Sequence, residues 1–418
     1  MDLIFLQTLP LDLLYIVANY NPAALFIYSK EELLRFNWTR LLRFNFHQDY
    51  KNSFLTNEEL LRIYTYNFLG INKIICGSKE CFIINDDLNV MNYDLRCRDT
   101  HEKYSHLLSV RDTPTFDIKD FQKNIFQVAY GNEYIIILLF DGTLLCRGNN
   151  VYGQLGLGDF NPRYTFVKND TLGKDISIKQ IVCGSYHTFI LLTDGTLLGC
   201  GSNENGQLGL GISGSQKFFA RVDGIKDIAL VASGYYHSFI KLYDGTVMGC
   251  GNNTSGQLGF GDKRIVKTFT KIEYISQNIA DIVCGNCTSF MLMNDGTLMS
   301  CGYGASGVLG HGNYKSKDIF TPVEKLPKNI VKIQAGFDHA ICLLENGTIM
   351  TSGSNQSGEL GFERTPKINI FQEIKNLPAK VINIGTGPFA QYSIIRLLNG
   401  TIMRYGACIQ GLNSIHPN

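Results

Sequence analysis

The most regular feature of the chain is a pair of short apolar runs joined by an aspartate or asparagine and a glycine. In one unit the run His187–Leu192 precedes Asp194-Gly195, and the run Leu197–Cys200 follows it. An Asx-Gly pair between two apolar runs predicts a β-hairpin with a type I′ turn, in which both central residues take a positive φ. The chain is therefore predicted to contain a series of hairpins.

This hairpin signal recurs at a nearly constant interval. The Asx-Gly pair is followed by threonine at six positions: Asp141, Asp194, Asp244, Asp295, Asn346 and Asn399. Successive positions are 53, 50, 51, 51 and 53 residues apart. A seventh, degraded copy precedes them, because Gly77 stands ten residues before Asp87 just as Gly131 stands ten residues before Asp141. Repetition at about fifty residues indicates a repeat architecture, here of seven units.

Each unit also carries a glycine-rich tail and two further apolar segments. The tail Gly201–Gly209 recurs as Gly251–Gly259 and, less closely, in two later units. Its glycines indicate tight turns, and one leucine per unit is predicted to enter the core: Leu155, Leu208, Leu258, Leu309 and Leu360. Segments such as Gln180–Val182 and Ala229–Val231 supply two more short strands, so each unit is predicted to have four strands.

Units of this size bury both faces of their sheets only by stacking around an axis. We therefore predict an all-β, seven-bladed β-propeller over residues 71–415, rather than a linear β-solenoid, whose repeats are usually shorter. Closure of the ring requires the two ends of the array to meet. Residues near Ile402–Tyr405 are predicted to pair in one blade with a segment near Lys73–Cys76, or else with a neighbouring strand.

These residues resemble the regulator-of-chromosome-condensation repeat. Its pattern of Gly-x-x-His, an apolar strand, Asp-Gly and Gly-x-Asn-x-x-Gly-Gln-Leu-Gly is matched by Gly184–Gly211 and Gly234–Gly261. The resemblance covers about residues 71–415 and implies the propeller fold. It leaves the function open, because the family includes a nucleotide-exchange factor, a photoreceptor, inhibitors and ligase subunits.

Residues 1–65 lack these glycines and are predicted to form a small α-helical head. Pro10 stands at a predicted helix start, and apolar residues recur at helical spacing after it and between Lys30 and Asn45. The opening Leu-Pro-Leu-Asp-Leu-Leu resembles the start of an F-box, a module that recruits a cullin-ligase adaptor. This resemblance implies partner-binding roles for Leu9, Pro10, Leu13 and Ile16. Because residues from Asn21 to Phe46 depart from the F-box pattern, a helical cap packed on the propeller is the alternative.

Composition and charge narrow the class of partner. The chain has 38 basic and 37 acidic residues, so no global field attracts it to nucleic acid or to a membrane surface. No apolar run is long enough to cross a membrane, and the N-terminus lacks the basic start of a signal peptide. Cysteines recur beside the glycines of the repeat, as packed strand residues do. An intracellular protein, cytoplasmic or nuclear, is predicted.

Candidate catalytic and metal-binding residues have structural interpretations. His187, His237 and His339 share one repeat position, but Tyr134 and Thr288 occupy it elsewhere, which indicates structural histidines bonded to neighbouring backbone. The Cys-x-x-Cys pair at residues 284–287 has no second pair of ligands, and no phosphate-binding glycine motif occurs. We therefore predict no catalytic, cofactor-binding or metal-binding residues, no cofactor and no enzymatic activity.

The predicted function is that of an interaction scaffold, in which the propeller binds a protein and the head recruits a cullin ubiquitin ligase through its adaptor. One alternative is nucleotide exchange on, or chromatin-associated regulation of, a Ran-type small GTPase. The short gaps between tail and next repeat, 23 to 26 residues, leave no room for an inserted wedge of the kind that the family's exchange factor uses. Richness in Asn, Ile, Lys and Tyr suggests an AT-rich genome, so a viral structural or virion-associated protein, in a viral factory or virion, is the other alternative.

Overall fold

The computed structural model describes residues 74–77, 80–84, 90–94, 125–139, 141–173, 176–275, 278–362, 365–406 and 413–415. All regular secondary structure in these ranges is β-strand, and among them no helix could span a membrane. The predicted α-helical head, with Leu9, Pro10, Leu13 and Ile16, lies outside the described residues. So does Asp87, the expected turn residue of the degraded repeat.

The strands form seven antiparallel sheets in which strand order follows the chain. The first sheet has three strands: β1 (Ile74–Cys76), β2 (Glu80–Ile84) and β3 (Val90–Asp94). Six sheets have four strands each: β4 (Ile125–Tyr130), β5 (Tyr134–Leu139), β6 (Leu144–Gly148), β7 (Arg163–Lys168); β8 (Ile178–Cys183), β9 (His187–Leu192), β10 (Leu197–Gly201), β11 (Gln216–Arg221); β12 (Ile228–Ser233), β13 (His237–Leu242), β14 (Val247–Gly251), β15 (Val266–Lys271); β16 (Ile279–Cys284), β17 (Thr288–Met293), β18 (Leu298–Gly302), β19 (Lys317–Pro322); β20 (Ile330–Ala335), β21 (His339–Leu344), β22 (Ile349–Ser354), β23 (Lys367–Glu373); β24 (Val381–Gly385), β25 (Tyr392–Leu397), β26 (Ile402–Gly406) and β27 (Asn413–Ile415).

The first strands of successive sheets contact one another, as the innermost strands of a propeller do. Contacts join β4 to β8, β8 to β12, β12 to β16, β16 to β20 and β20 to β24, and β1 contacts both β24 and β4. The described residues therefore form an all-β propeller with six four-stranded blades, beside which the three-stranded sheet packs. The predicted strand segments Gln180–Val182 and Ala229–Val231 are confirmed as parts of the inner strands β8 and β12.

The Asx-Gly hairpins are confirmed in six units, but the predicted turn type is wrong. In β9–β10 the Gly195 amide donates to the Leu192 carbonyl (3.1 Å), and the Leu192 amide donates to the Thr196 carbonyl (2.9 Å). These bonds enclose a three-residue loop in which Gly195 takes a φ of 84°. The Asp194 carboxylate accepts a hydrogen bond from the Thr196 amide (2.9 Å). The loop is therefore a type I turn followed by a glycine in the left-handed conformation. Only this glycine needs a positive φ, whereas the predicted type I′ turn needs a positive φ at two residues.

The glycine-rich tail is organised by a buried asparagine. Asn203 accepts a hydrogen bond from the Leu208 amide (3.0 Å) and donates one to the Ile212 carbonyl (2.8 Å), which folds the tail back on itself. The loop then inserts its leucine between blades, and the predicted core leucines are confirmed as buried: Leu155, Leu208, Leu258, Leu309 and Leu360. The asparagine thus determines the shape of the tail, and the leucine anchors it.

The two ends of the array meet by packing and not by a shared sheet. Strand β26 pairs with β25 and β27, whereas β1 pairs with β2. The expectation that residues near Ile402–Tyr405 pair with Lys73–Cys76 in one blade was wrong, because the C-terminal segment supplies its own fourth strand. Instead, Ile74 and Cys76 join Tyr392 and Ile402 in one buried cluster.

Candidate protein-interaction face

Two kinds of loop emerge at the same end of the propeller. Because antiparallel strands alternate in direction, the loop from the first to the second strand of a sheet lies at the same end as the glycine-rich tail from the third to the fourth. We call this end the loop face; the Asx-Gly turns lie at the opposite end. The first-to-second-strand loops begin at Gly131, Gly184, Gly234, Gly285 and Gly336 in the second to sixth sheets.

Backbone hydrogen bonds tie neighbouring loops of this face together. The Asn132 amide donates to the Ser185 carbonyl (2.9 Å), and the Ser185 amide donates to the Gly234 carbonyl (3.2 Å). The Phe337 amide donates in the same way to the Ala390 carbonyl of the last sheet (2.9 Å). Side chains on these loops are therefore carried by a pre-organised backbone, which reduces the entropy lost on binding.

Five aromatic side chains cluster on the loop face. We call them the aromatic cluster: Tyr152, Tyr186, Tyr235, Tyr236 and Phe337. Ring centroids are 5.1 Å apart for Tyr152 and Tyr186, 5.5 Å for Tyr186 and Tyr235, and 4.6 Å for Tyr235 and Tyr236. The Tyr235 and Phe337 rings approach to 6.2 Å although their sheets are separated by the β16–β19 sheet. The cluster therefore lies where the loops converge, near the propeller axis.

The cluster is half-buried, and polar contacts fix its orientation. The Asn132 side-chain amide donates to the Tyr186 hydroxyl (2.7 Å), which lies 3.2 Å from the Tyr235 hydroxyl. Burial, followed by contact with Tyr186, raises the pKa of Tyr235 above its usual range. Tyr235 is therefore neutral at physiological pH. The cluster presents apolar ring surface together with hydroxyl groups, a combination enriched at protein interfaces.

Carboxylates adjoin the cluster. Asp338 follows Phe337 in the same loop and is half-buried; desolvation first, and then the charge of Glu359, raises its pKa. Glu359 is buried and accepts a hydrogen bond from the Ser357 amide (2.7 Å). Burial and then Asp338 raise the pKa of the nearby Cys287 thiol to about 11. Among the described residues, the Asp338 carboxylate forms no ion pair and accepts no hydrogen bond from a side chain.

The three repeat histidines lie inside the ring, between blades. The Nε2 atoms of His187, His237 and His339 are each 2.9 Å from a serine hydroxyl of the following sheet: Ser238, Ser289 and Ser393. Burial lowers the pKa of these histidines to about 3, 3 and 4, so they are neutral. Their structural interpretation is supported, although the partner is a serine side chain rather than backbone. Tyr134 does bond to backbone, donating to the Gly184 and His187 carbonyls (3.1 and 2.6 Å).

The cysteines are packed thiols. Cys200, Cys250 and Cys301 each donate to the carbonyl of a tail residue of the preceding sheet. Burial raises the pKa of Cys146 and Cys183 to about 12, so these thiols stay protonated, and a protonated thiol is a poor nucleophile and a poor metal ligand. In the part of the chain that the structure describes, no three His, Cys, Asp or Glu side chains group as a metal site would require.

Sequence reasoning missed the aromatic cluster. Its signal was present, because Tyr186 and Tyr236 each stand directly before a repeat histidine, and Phe337 stands two residues before the third. The histidines of these loops recur in the sequence, whereas the aromatic residues before them vary in position. The contact between Tyr235 and Phe337, 102 residues apart, depends on how the blades are arranged around the axis.

Two family models match the chain, both described as the regulator of chromosome condensation (RCC1) repeat. One matches residues 141–191, 194–240, 244–292 and 295–343, and the other matches 127–154, 178–207, 228–257 and 330–359. Together the matches span 231 of the 418 residues. They include the loops that carry Tyr186, Tyr235 and Phe337.

Curated relatives and solved structures agree with this match. The chain is 31% identical over 286 residues to the probable E3 ubiquitin-protein ligase HERC6 of Homo sapiens, covering 67% of this chain and 23% of HERC6. It is 32% identical over 130 residues to the secretion-regulating guanine nucleotide exchange factor of Bos taurus, covering 31% and 28%. The chain thus spans less than a third of either relative.

The fold is similar to that of yeast RCC1 (Prp20), seen in a crystal structure bound to Kap60. The TM-score is 0.61 at 20% sequence identity, over 70% of this chain and 72% of that one. At this sequence identity the similarity shows the fold alone. The shared propeller fold agrees with the inner strands and antiparallel sheets of this structure. The repeat matches and the architecture together lead to one conclusion: the chain belongs to the family of proteins built from regulator of chromosome condensation repeats.

Proposed function

We propose that this protein is a non-catalytic interaction scaffold whose propeller binds a protein partner at the loop face. The aromatic cluster carries the proposal. Its rings are half-exposed, they lie together near the axis, and hydrogen bonds between loops hold their backbone. Tyrosines that combine a large contact area with few rotatable bonds are frequent centres of binding energy in protein interfaces. Yeast RCC1, whose fold is similar, is bound to Kap60 in its crystal structure, which supports a role in protein binding.

An affinity-capture comparison tests this proposal. Wild-type protein, the Tyr235→Ala/Phe337→Ala double variant and a Tyr243→Ala control are used to capture proteins from a lysate, which are quantified by mass spectrometry. Tyr243 is 70% exposed beside an Asx-Gly turn at the opposite end, so it offers an aromatic surface away from the cluster. We expect one set of proteins to bind to the wild type and to the control but not to the double variant. Equal capture by all three, with unchanged melting temperatures, would contradict the proposal.

The proposal that the protein works without catalysis is supported by the state of its candidate nucleophiles and bases. His187 and His237 are buried and neutral, each with one ring nitrogen bonded to a serine, and Cys287 has a raised pKa. All ten cysteines of the described ranges are free thiols, as expected of a protein in a reducing compartment. We therefore also propose an intracellular location.

The three-stranded sheet is proposed as the seventh blade of a closed ring. The support comes from its two neighbours: β1 contacts β24 on one side and β4 on the other. The Tyr392 hydroxyl donates to the Gly77 and Glu80 carbonyls (2.7 and 3.0 Å), in the same manner as Tyr134 bonds to the next sheet. An experimental structure with six or eight blades around the axis would contradict this count.

Recruitment of a cullin-ligase adaptor by the head is a second part of the proposed function, and it depends on residues outside the described ranges. Similarity to a probable ubiquitin ligase is compatible with it, although the chain spans 23% of that relative. The Leu9→Ala/Pro10→Ala variant is expected to lose adaptor binding while keeping its melting temperature. Absence of binding by the intact protein, together with a large loss of stability in the variant, would leave the head as a cap.

Regulation of a small GTPase is the alternative function. It is favoured by the similarity to a bovine secretion-regulating guanine nucleotide exchange factor, which extends over 130 residues. Against it, the tails and their following loops contain no long insertion in the matched repeats. Release of labelled nucleotide from a Ran-type GTPase is expected to be unchanged by this protein. A marked acceleration that the Tyr235→Ala/Phe337→Ala variant abolishes would assign the loop face to exchange activity instead.

A further inference from the structure

The aromatic cluster and the carboxylates beside it form one surface with a definite charge preference. Phe337 and Asp338 are consecutive in one loop, and the Phe337 ring contacts Tyr235 at 6.2 Å. On the other side of the cluster, the exposed Glu133 is next to Asn132, which donates to the Tyr186 hydroxyl. The loop face therefore carries carboxylates as well as aromatic rings.

Two arginines of the same face form ion pairs with nearby aspartates of their own repeats. In the tails, Arg163 pairs with Asp159 (2.6 Å) and Arg264 pairs with Asp262 (2.6 Å). Neither pair involves Asp338 or Glu359, and the charge of Glu359 contributes, after desolvation, to raising the pKa of Asp338. A cation arriving from a partner would meet a half-desolvated carboxylate, which strengthens an ionic hydrogen bond relative to one in open water.

Glu359 is unusual for its repeat position. The equivalent residue of the glycine-rich tail is glutamine in three other units: Gln154, Gln207 and Gln257. Each of these side chains accepts a hydrogen bond from a backbone amide two residues earlier, as Glu359 does from Ser357. The carboxylate thus preserves the turn and adds a negative charge that the turn does not require.

From these observations we propose that the loop face recognises a lysine or arginine side chain of its protein partner. The cation lies against the faces of Tyr235, Tyr236 and Phe337 and bonds to the carboxylate of Asp338, while Glu359 strengthens the negative potential from below. Cation–π attraction and a charge-assisted hydrogen bond act on the same group. The inference rests on the proposed function, because it names the chemistry of the partner at that same surface.

The test uses purified full-length protein and a library of nonapeptides. Four sublibraries carry Lys, Arg, Gln or Glu at the central position and mixtures elsewhere, and binding is measured by fluorescence polarisation. We expect the Lys or Arg sublibrary to bind about tenfold more tightly than the Gln sublibrary, from one cation–π contact and one ionic bond. Asp338→Asn and Glu359→Gln should reduce this preference. Glu359→Gln introduces the residue that three other repeats have at this position, so this variant should fold.

Asp318→Asn provides the matched control, because it removes one carboxylate from the exposed outer strand β19 without touching the cluster. Its preference for cations should equal that of the wild type. Equal binding of the Gln and Lys sublibraries, lost in Phe337→Ala, would overturn the inference while leaving the loop face as an interaction surface. Binding that is insensitive both to Phe337→Ala and to the central residue would overturn the inference and the proposed function together.

Discussion

The Nε2 atom of His187 lies 2.9 Å from the hydroxyl oxygen of Ser238, which belongs to the next sheet of the propeller. That hydroxyl donates in turn to the Gln207 carbonyl (2.8 Å), so the histidine must carry its proton on Nε2 and donate to the serine. The same chain of bonds joins His237 to Ser289 and to the Gln257 carbonyl. Each of these two histidines therefore links its own blade to the next one. Between the first such pair of blades, the loops that begin at Gly184 and Gly234 are also joined by a backbone hydrogen bond.

Removal of one such histidine is expected to destabilise the whole ring. His187→Ala loses a buried hydrogen bond and leaves a cavity, which should lower the free energy of unfolding by about 2–4 kcal/mol. Urea unfolding followed by circular dichroism measures the change. Tyr164→Ala is the control, because this side chain is 83% exposed and should cost less than about 0.5 kcal/mol. Equal losses in the two variants would show that the histidine bond contributes nothing.

The same histidines should make stability depend on pH. Their pKa is about 3 to 4 in the folded protein, below the usual 6.5, so the unfolded chain binds more protons than the native one between these values. The free energy of unfolding is therefore expected to be unaffected by them above pH 6.5 and to fall as the pH decreases below it. Each histidine adds a slope of up to about 1.4 kcal/mol per pH unit. Unfolding measured from pH 7 to pH 4 should be less steep in His187→Ala/His237→Ala; an unchanged slope would contradict the assignment.

Close approach of the tail to the next blade should make one glycine irreplaceable. Gly206 has a φ of 74°, and a Cβ there would lie 2.5 Å from the Lys267 Cα. Gly224 has a similar φ of 78° but no heavy atom within 4 Å of its would-be Cβ. Gly206→Ala should therefore cost about 1–3 kcal/mol more than Gly224→Ala, since both pay the same backbone strain and only one clashes. Thermal melts of the two variants measure the difference, and equal melting temperatures would refute the clash.

The contact between the first and last sheets should depend on one hydroxyl. Tyr392→Phe removes two hydrogen bonds, to the Gly77 and Glu80 carbonyls, while keeping the packed ring. We expect a loss of about 1–2 kcal/mol in the free energy of unfolding, because the buried Gly77 carbonyl loses this donor, whereas the Glu80 carbonyl keeps its bond from the Gly77 amide. Tyr164→Phe, at an exposed site, should be neutral. Hydrogen exchange should also become faster in β1 and β24 of the Tyr392→Phe protein. An increase confined to β25 would mean that the first and last sheets are not coupled.

The sequence by itself determined the repeating elements of this protein, because each depends on bonds between near neighbours in the chain. Asp194, Gly195 and Thr196 close their own hairpin, and Asn203 folds its own tail around Leu208. Local patterns of this kind can be recognised in one repeat, and the Asx-Gly-Thr hairpin recurs in five others. The turn type was misjudged because the Asx side chain accepts a hydrogen bond from the amide of the threonine that follows the loop, and Asx-Gly suits either of the two local geometries.

Only the tertiary structure decided where the chain joins its ends and what the loop face presents. The fourth strand of the last sheet is β27, so the last sheet meets the first through packing against Ile74 and Cys76 and through the Tyr392 hydroxyl, contacts that no local pattern encodes. The aromatic cluster arises in the same way: Tyr235 and Phe337 are unremarkable in their own repeats and meet only because the blades converge on one axis. Contacts across a ring depend on the rotation between repeats, and that rotation is a property of the packed blades rather than of any single one.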